Sequence, residues 1–497
     1  MYWFALIPLA FLGLFYFYPL KEIFCLGLSS QDGHGDSLMD MVVRFGPTLW
    51  FTTWQAAVST LLTIVLALPG AYVFARYDFY GKAVIKAFTT IPFVLPTVVV
   101  AAAFGALLGP QGLMNTAVMK VFGLSSPVIH MEQTIWIILL AHVFYNYTVV
   151  LRIVSTFWSS FDPSLVHAAR MLGASRFQAF FRVTLPLLTP AILASGLLVF
   201  IFCFSSFGVI LILGGPRYAT IEVEIYRQAL HIFDLRAASV LSILQISFTF
   251  CLMWLYTWLQ RRYAVRLNPE SKKITLKTCT TKRQCMIVGA TVTFILIFLV
   301  LPLFSLVLKS FMTADGLSFM FYRELFRNTS QSIFFIPPVQ AIGYSLGIAC
   351  ITLVIAVGIA LLAANFLSSS QARFVSLLDP LFMLPLSTSA VTLGLGFILA
   401  FDEPPLNLRS SIVLLPLAHT LVAFPFVLRS VMPAFRSIPE SMREAASMLG
   451  AGPFYVWRRI DLALVSKALV TGAVFAFTVS MGEFGATVFV AMPQTPT

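Results

Sequence analysis

The sequence predicts an all-α integral membrane protein built as a duplicated six-helix bundle, and three observations lead there. Apolar runs of about 20 residues, enough to cross a hydrocarbon core as a helix, recur along the chain. Hydrophobic residues make up 59% and charged residues 10% of the 497, with a mean hydropathy of +0.91, which excludes a soluble domain of ordinary composition. Finally, Pro163 to Ala174, PSLVHAARMLGA, returns as Glu440 to Ala451, ESMREAASMLGA.

Eleven runs read as spanning helices: 2–20, 46–75, 87–108, 133–157, 187–213, 237–260, 286–308, 340–366, 375–400, 411–434 and 465–491. Backbone amides in lipid must bond within their own segment, so runs of this length mean helices. The first run has no basic stretch before it and no small-residue cleavage site after it, and reads as a retained helix rather than a signal peptide.

The repeat sets the organisation. Leu140-Ala141-His142 matches Leu417-Ala418-His419, Leu151-Arg152 matches Leu428-Arg429, and Phe207-Gly208 matches Phe484-Gly485, all at an offset of 277. Upstream the offset is 289, as Leu95-Pro96 against Leu384-Pro385 shows, because the connection 109–131 is longer than 401–410. Loops absorb such length changes and packed helices do not. The chain therefore divides into a first lobe, 1–260, a basic linker, 261–285, and a second lobe, 286–497. Each lobe reads as six helices with the repeated polar loop between the fourth and fifth. An even helix number turns both lobes the same way, which puts the pseudo-two-fold axis along the membrane normal. Thr497 aligns with Thr220, so the twelfth helix is missing. Either the protein continues beyond residue 497 or that helix has been lost.

The net charge of +12 follows the membrane topology. The linker region carries Arg261, Arg262, Arg266, Lys272, Lys273, Lys277, Lys282 and Arg283 against Glu270 alone. The repeated loops carry Arg170, Arg176 and Arg182, then Arg436, Arg443, Arg458 and Arg459, whereas the opposite loops mix Asp32, Asp36, Asp40, Glu222, Glu224 and Asp234 with Arg44, Arg217 and Arg227. The positive-inside rule places the repeated loops, the linker and the N-terminus in the cytoplasm. Orientation thus accounts for the basic balance without nucleic acid. The six cysteines show no metal-ligand spacing, and Cys279 and Cys285 fall in the cytoplasmic linker, where thiols stay reduced.

Within the repeated loops, Leu165, Ala168, Ala169 and Leu172 fall at helical spacing, as do Met442, Ala445, Ala446 and Leu449. Gly173 and Gly450 follow where a left-handed cap is needed. A second short helix then begins, with Ser175 as N-cap in one copy and Gly452-Pro453 as cap and first turn in the other. The expected object is a helix–turn–helix lying on the cytoplasmic face, with a small Ala pair that permits close approach by another surface.

This pattern resembles the EAA loop of ATP-binding-cassette import permeases: Glu-Ala-Ala, three residues, Gly, then Ile-x-Leu-Pro. The second copy supplies Glu444, Ala445, Ala446 and Gly450, followed by Ile460-Asp461-Leu462-Ala463, without the final Pro. The first supplies His167, Ala168, Ala169 and Gly173, followed by Val183-Thr184-Leu185-Pro186, with His in place of Glu and Val in place of Ile. The resemblance covers essentially the whole chain, and the two-lobe layout and the stretch Phe202 to Leu230 are similar to the thiamine and ferric-iron permease group. Gly482-Glu483-Phe484-Gly485 is similar also to sulfate and molybdate permeases.

The resemblance implies a transmembrane permease of the cell inner membrane. Two copies of a separate ATPase would dock on the loops, an extracytoplasmic binding protein would deliver a small solute, and ATP and Mg would reside on the partner, with no cofactor or metal in this chain. Thiamine or a derivative is the first substrate expectation and ferric iron the second. No phosphate-cradling Gly-rich loop with Lys and no catalytic constellation is present, so no enzymatic activity is expected of this chain. An ion-gradient-driven secondary transporter or a membrane scaffold would also suit a duplicated bundle, but neither gives the paired loops a purpose.

The helices after the loops carry the pathway candidates Ser205, Ser206, Phe207, Glu483 and Phe484. A carboxylate inside a membrane helix is costly unless it faces protein or water, so Glu483 reads either as functional or as a cap or bond to a neighbouring helix. His142 and His419 invite a metal reading, but interhelical hydrogen bonds are the commoner use. Arg152 and Arg429 are expected to snorkel to the interface. The outer segment Gly214 to Tyr226 reads as a binding-protein contact, an outer gate or a plain re-entrant loop.

Overall fold

The structure is a computed structural model that describes residues 3–29, 38–161, 164–262, 276–313, 316–327, 337–369, 375–402, 406–409 and 411–491. Asp32, Asp36, Pro163, Arg266, Glu270, Lys272, Lys273 and residues 492–497 lie outside the described residues. Among the described residues ten helices are long and apolar enough to cross a membrane. An eleventh span is a bent pair, Leu378–Ser387 with Ala390–Phe401, whose two parts meet at 97°.

The elements that matter below are α1 (Leu6–Leu28), α2 (Leu38–Arg76), α3 (Thr97–Leu108), α4 (Ile135–Ser159), α5 (Ser164–Met171), α6 (Leu185–Phe204), α7 (Gly208–Leu213) and α8 (Leu235–Arg262). They continue with α9 (Lys282–Phe311), α10 (Pro338–Ser369), α11 (Val375–Ser387), α12 (Ala390–Phe401), α13 (Leu414–Arg436), α14 (Glu440–Met448), α15 (Leu462–Gly482) and α16 (Gly485–Val490).

Four of the predicted continuous runs are interrupted, each for a local reason. The run 87–108 breaks before α3, where Leu95 is extended ahead of Pro96. The expected outer connection 109–131 contains its own helix, Leu113–Phe122. The run 375–400 bends between α11 and α12, where the Ser389 hydroxyl caps α12 by accepting from the backbone N–H of Val391 at 3.1 Å. The runs 187–213 and 465–491 break at Ser205–Phe207 and at Glu483–Phe484.

The chain forms two compact units that cut across the sequence lobes: Arg44–Val223 with Ser247–Ser318, and Met1–Val43 with Glu224–Ile246 and Phe319–Thr497. In the first unit α9, the opening helix of the second sequence lobe, packs on α3, and the Ser305 hydroxyl donates to the Ala103 carbonyl at 3.2 Å. Phe298 of α9 also meets Phe144 and Tyr147 of α4. In the second unit α1 covers the later helices. Tyr16 and Thr388 share a hydrogen bond of 2.7 Å, Phe15 meets Phe401, and Phe11 lies edge-on to Phe424. Gly27 lets α1 approach α8 closely, since a Cβ there would sit 2.7 Å from the Ile243 side chain. These packing units cut across the lobes 1–260 and 286–497, which the repeat in the sequence defines. A long apolar helix must bury a face on some neighbour, and its periodicity does not say which neighbour.

The equivalent helices α4 and α13 are the most enclosed spans of their respective units, buried along 78% and 72% of their membrane windows. They carry His142 and His419.

Candidate functional site: the coupling loops and the broken helices

Each repeated loop folds as a short amphipathic helix closed by the same cap. In the first, the Ala174 N–H bonds to the Ala169 carbonyl and the Gly173 N–H to the Arg170 carbonyl, both at 3.1 Å. In the second, Ala451 bonds to Ala446 and Gly450 to Ser447, both at 3.0 Å. This paired closure satisfies the last carbonyls of the helix and needs a left-handed residue, which Gly173 at φ +86° and Gly450 at φ +82° provide. The caps of the following short helices also match expectation. Ser175 and Gln178 form a reciprocal capping box, while Gly452 precedes Pro453 at the first helical turn.

A π-helical turn then joins each loop to its membrane helix, Phe180–Thr184 before α6 and Trp457–Asp461 before α15. Such turns widen a helix by one residue and concentrate at functional joints. In the second loop the Arg443 guanidinium pairs with the Asp461 carboxylate, Nε to Oδ1 at 2.8 Å, tying α14 to that turn. The corresponding residues in the first loop are Val166 and Thr184, which cannot form such a pair.

Both loops present apolar tips. Met171 and Leu172 are 88% and 89% exposed, and Met448 and Leu449 repeat those values. Phe177 and Phe454 are exposed beside them. His167, Ala168, Glu444 and Ala445 are exposed, and Ala169 and Ala446 are half-buried. Singly exposed apolar residues are ordinary; here a matched apolar cluster recurs on each of two repeated loops.

Beyond each loop the membrane helix is broken, and side chains satisfy backbone groups that the break releases. Gln55 Nε2 of α2 donates to the Cys203 carbonyl at 2.8 Å, and the Thr220 hydroxyl donates to the Ser206 carbonyl at 3.4 Å. Glu483 caps α16, its carboxylate accepting the Ala486 N–H at 3.0 Å, while the Thr487 hydroxyl donates back to the Glu483 carbonyl at 2.6 Å. Glu483 is thus a capping group at a helix junction, rather than a residue within a continuous membrane helix. Ser205, Ser206, Glu483 and Phe484 are half-buried at their breaks, and Phe207 is buried.

Both nitrogens of each paired histidine are engaged with hydroxyls. His142 Nδ1 lies 3.0 Å from Ser59 Oγ and its Nε2 2.9 Å from Ser206 Oγ. His419 Nδ1 lies 2.8 Å from Ser480 Oγ and its Nε2 2.8 Å from Thr487 Oγ1. These are the interhelical bonds that the sequence suggested, but their partners were not legible in it. Among the described residues no group of three or more His, Cys, Asp or Glu is gathered to hold a metal ion.

Spanning helices in this number, arranged as a repeat with a capped, exposed loop in each copy, are the architecture a membrane permease would have. Residues 59–265 match the family described as the binding-protein-dependent transport system inner membrane component. Residues 59–265 thus carry that family's permease domain, within a chain that has ten spanning helices among its described residues. The chain is similar to the thiamine transport system permease protein ThiP of Brucella suis, 27% identical over 93% of this chain and 82% of the relative. The Escherichia coli protein of the same name is 25% identical over 90% and 80%. The putative 2-aminoethylphosphonate transport system permease protein PhnU of Salmonella typhi is 27% identical, and 53% of this chain spans 93% of it.

Proposed function

We propose that this chain is the translocating subunit of an ATP-driven importer for thiamine or a derivative, with ferric iron as the second substrate candidate. Two copies of a separate cytoplasmic ATPase dock on the loops at 162–186 and 439–463, and an extracytoplasmic binding protein delivers the solute. ATP and Mg belong to the partner; this chain contributes no cofactor and no catalytic step. The N-terminus and both loops face the cytoplasm, as the basic residues of the loops support.

The observation that carries this reading is the repeated loop itself, with the same helical cap and the same exposed Met-Leu tip in both copies. Closure of the ATPase on ATP would pull α5 and α14. The π-turns would pass that movement to α6 and α15 and so to the breaks beyond them. Similarity to thiamine permeases over most of the chain supports the substrate.

Proteoliposomes holding this chain, its ATPase and its binding protein test the proposal. Labelled thiamine should accumulate with ATP and continue to do so after ion gradients are collapsed. Accumulation that follows an ion gradient without the ATPase would identify a secondary transporter instead. Uptake of chelated ferric iron in the same vesicles, with thiamine inactive, would replace the first substrate by the second.

A further inference from the structure

The paired histidines occupy equivalent positions, yet their partners are not equivalent. Ser206 corresponds to Glu483, and Ser480 corresponds to Cys203. If His142 and His419 were inert relics of duplication, loss of one partner would leave a ring nitrogen unbonded in a buried site. Instead each ring has two hydroxyl partners, and in each unit at least one lies at the break. His142 joins the break at Ser206 to Ser59 on α2. His419 joins Ser480, in the last turn of α15, to Thr487, in the first turn of α16, and so spans the break.

We propose that His142 and His419 are positioning residues: each latches the broken span that follows its coupling loop and fixes the angle at which the short distal segment, α7 or α16, is carried. The inference rests on the permease reading for its consequence but not for its geometry. A neutral imidazole has one donor and one acceptor nitrogen; because the Thr487 hydroxyl donates to the Glu483 carbonyl, His419 Nε2–H donates to Thr487 and its Nδ1 accepts from Ser480. Buried hydroxyl and imidazole groups are costly unless bonded, which gives such side-chain bridges their weight. The latch lies on a largely enclosed membrane helix in each unit, α4 or α13, so it ties the broken span to a helix with little freedom of its own. Pulling by the loop would then turn the distal segment only while the bridge holds. Without it, movement of α6 or α15 would be lost in the flexible junction.

Two measurements on the full chain in lipid nanodiscs and in the assembled transporter test this. Backbone hydrogen exchange should rise about tenfold or more over 205–213 in His142→Ala and over 483–490 in His419→Ala, with 164–179 and 440–456 unchanged. Thr487→Val and Ser206→Ala, which remove one hydroxyl and little volume, should give the same local pattern more weakly. In the transporter, thiamine carried per ATP hydrolysed should fall at least tenfold in the His→Ala variants while the ATPase remains bound and active, and His→Gln should recover part of it. Unchanged exchange at the breaks in the hydroxyl variants overturns the latch. So does a raised local exchange with an unaltered ratio of thiamine to ATP. A wild-type transporter that carries no thiamine counts against the substrate reading alone, because the exchange measurement still decides the latch.

Discussion

Arg443 and Asp461 are joined by an ion pair of 2.8 Å in the second coupling loop, and the first loop has Val166 and Thr184 at the same places. The two repeated loops are therefore tied unequally to the turns that follow them. The pair is partly buried, with side-chain exposures of 23% and 7%, so solvent screens it less than an exposed bridge. Asp461→Asn should lower the melting temperature and cost about 1.5–3 kcal/mol, the range for a hydrogen bond to a charged group. A double-mutant cycle with Arg443→Met checks it: the combined variant should be less destabilised than the sum of the two single changes.

The glycine caps offer a test free of packing effects. A Cβ at Gly173 or Gly450 meets nothing within 4 Å, so the cost of Gly→Ala there is backbone strain alone. That strain is about 1–2 kcal/mol for a left-handed residue. Local loss of the cap is expected to release the ATPase on co-purification while the membrane helices remain folded by circular dichroism. Gly→Asn should be milder, since Asn tolerates the left-handed region.

Leu172 and Leu449 touch little of their own chain, so Leu→Asp at either site should change stability by less than about 0.5 kcal/mol. The same substitutions are expected to reduce ATPase binding at least tenfold in a pull-down from nanodiscs. A variant with both changes should retain none.

Glu483 separates capping from substrate recognition. Glu483→Gln keeps an acceptor for the Ala486 N–H and should preserve uptake, while Glu483→Ala should fray α16 at a cost of about 1–2 kcal/mol. Hydrogen exchange over 485–490 reads the difference. Loss of uptake in the Gln variant with α16 intact would assign the carboxylate to the solute.

The packing of α1 makes a further expectation. Tyr16→Phe removes the bond to Thr388 and should cost about 1 kcal/mol. Removal of residues 1–29 should raise hydrogen exchange in α11 and α12, and leave α3 and α4 as they are.

Much of this was legible in the sequence. Runs of apolar residues located the spans, and the doubled PSLVHAARMLGA pattern located both loops, including the caps at Gly173, Ser175 and Gly450. The breaks were not legible, because Ser205, Ser206 and Glu483 sit inside runs apolar enough overall to read as continuous helices. Nor was the exchange of α1 and α9 between units, since an apolar face carries no address. The Arg443–Asp461 pair spans a turn whose fold must be known before the two residues can be brought together. His142 and His419 stood out by their repeat, but their hydroxyl partners lie 61 to 83 positions away and follow no shared offset.

Labelling of Leu172→Cys and Leu449→Cys, each in a cysteine-free background, with a membrane-impermeant maleimide tests the central claim most directly. Both positions should react only from the cytoplasmic side and become protected when the ATPase binds. Reaction from the outer side, or reaction that the bound ATPase leaves undiminished at both positions, would contradict an importer driven through these two loops.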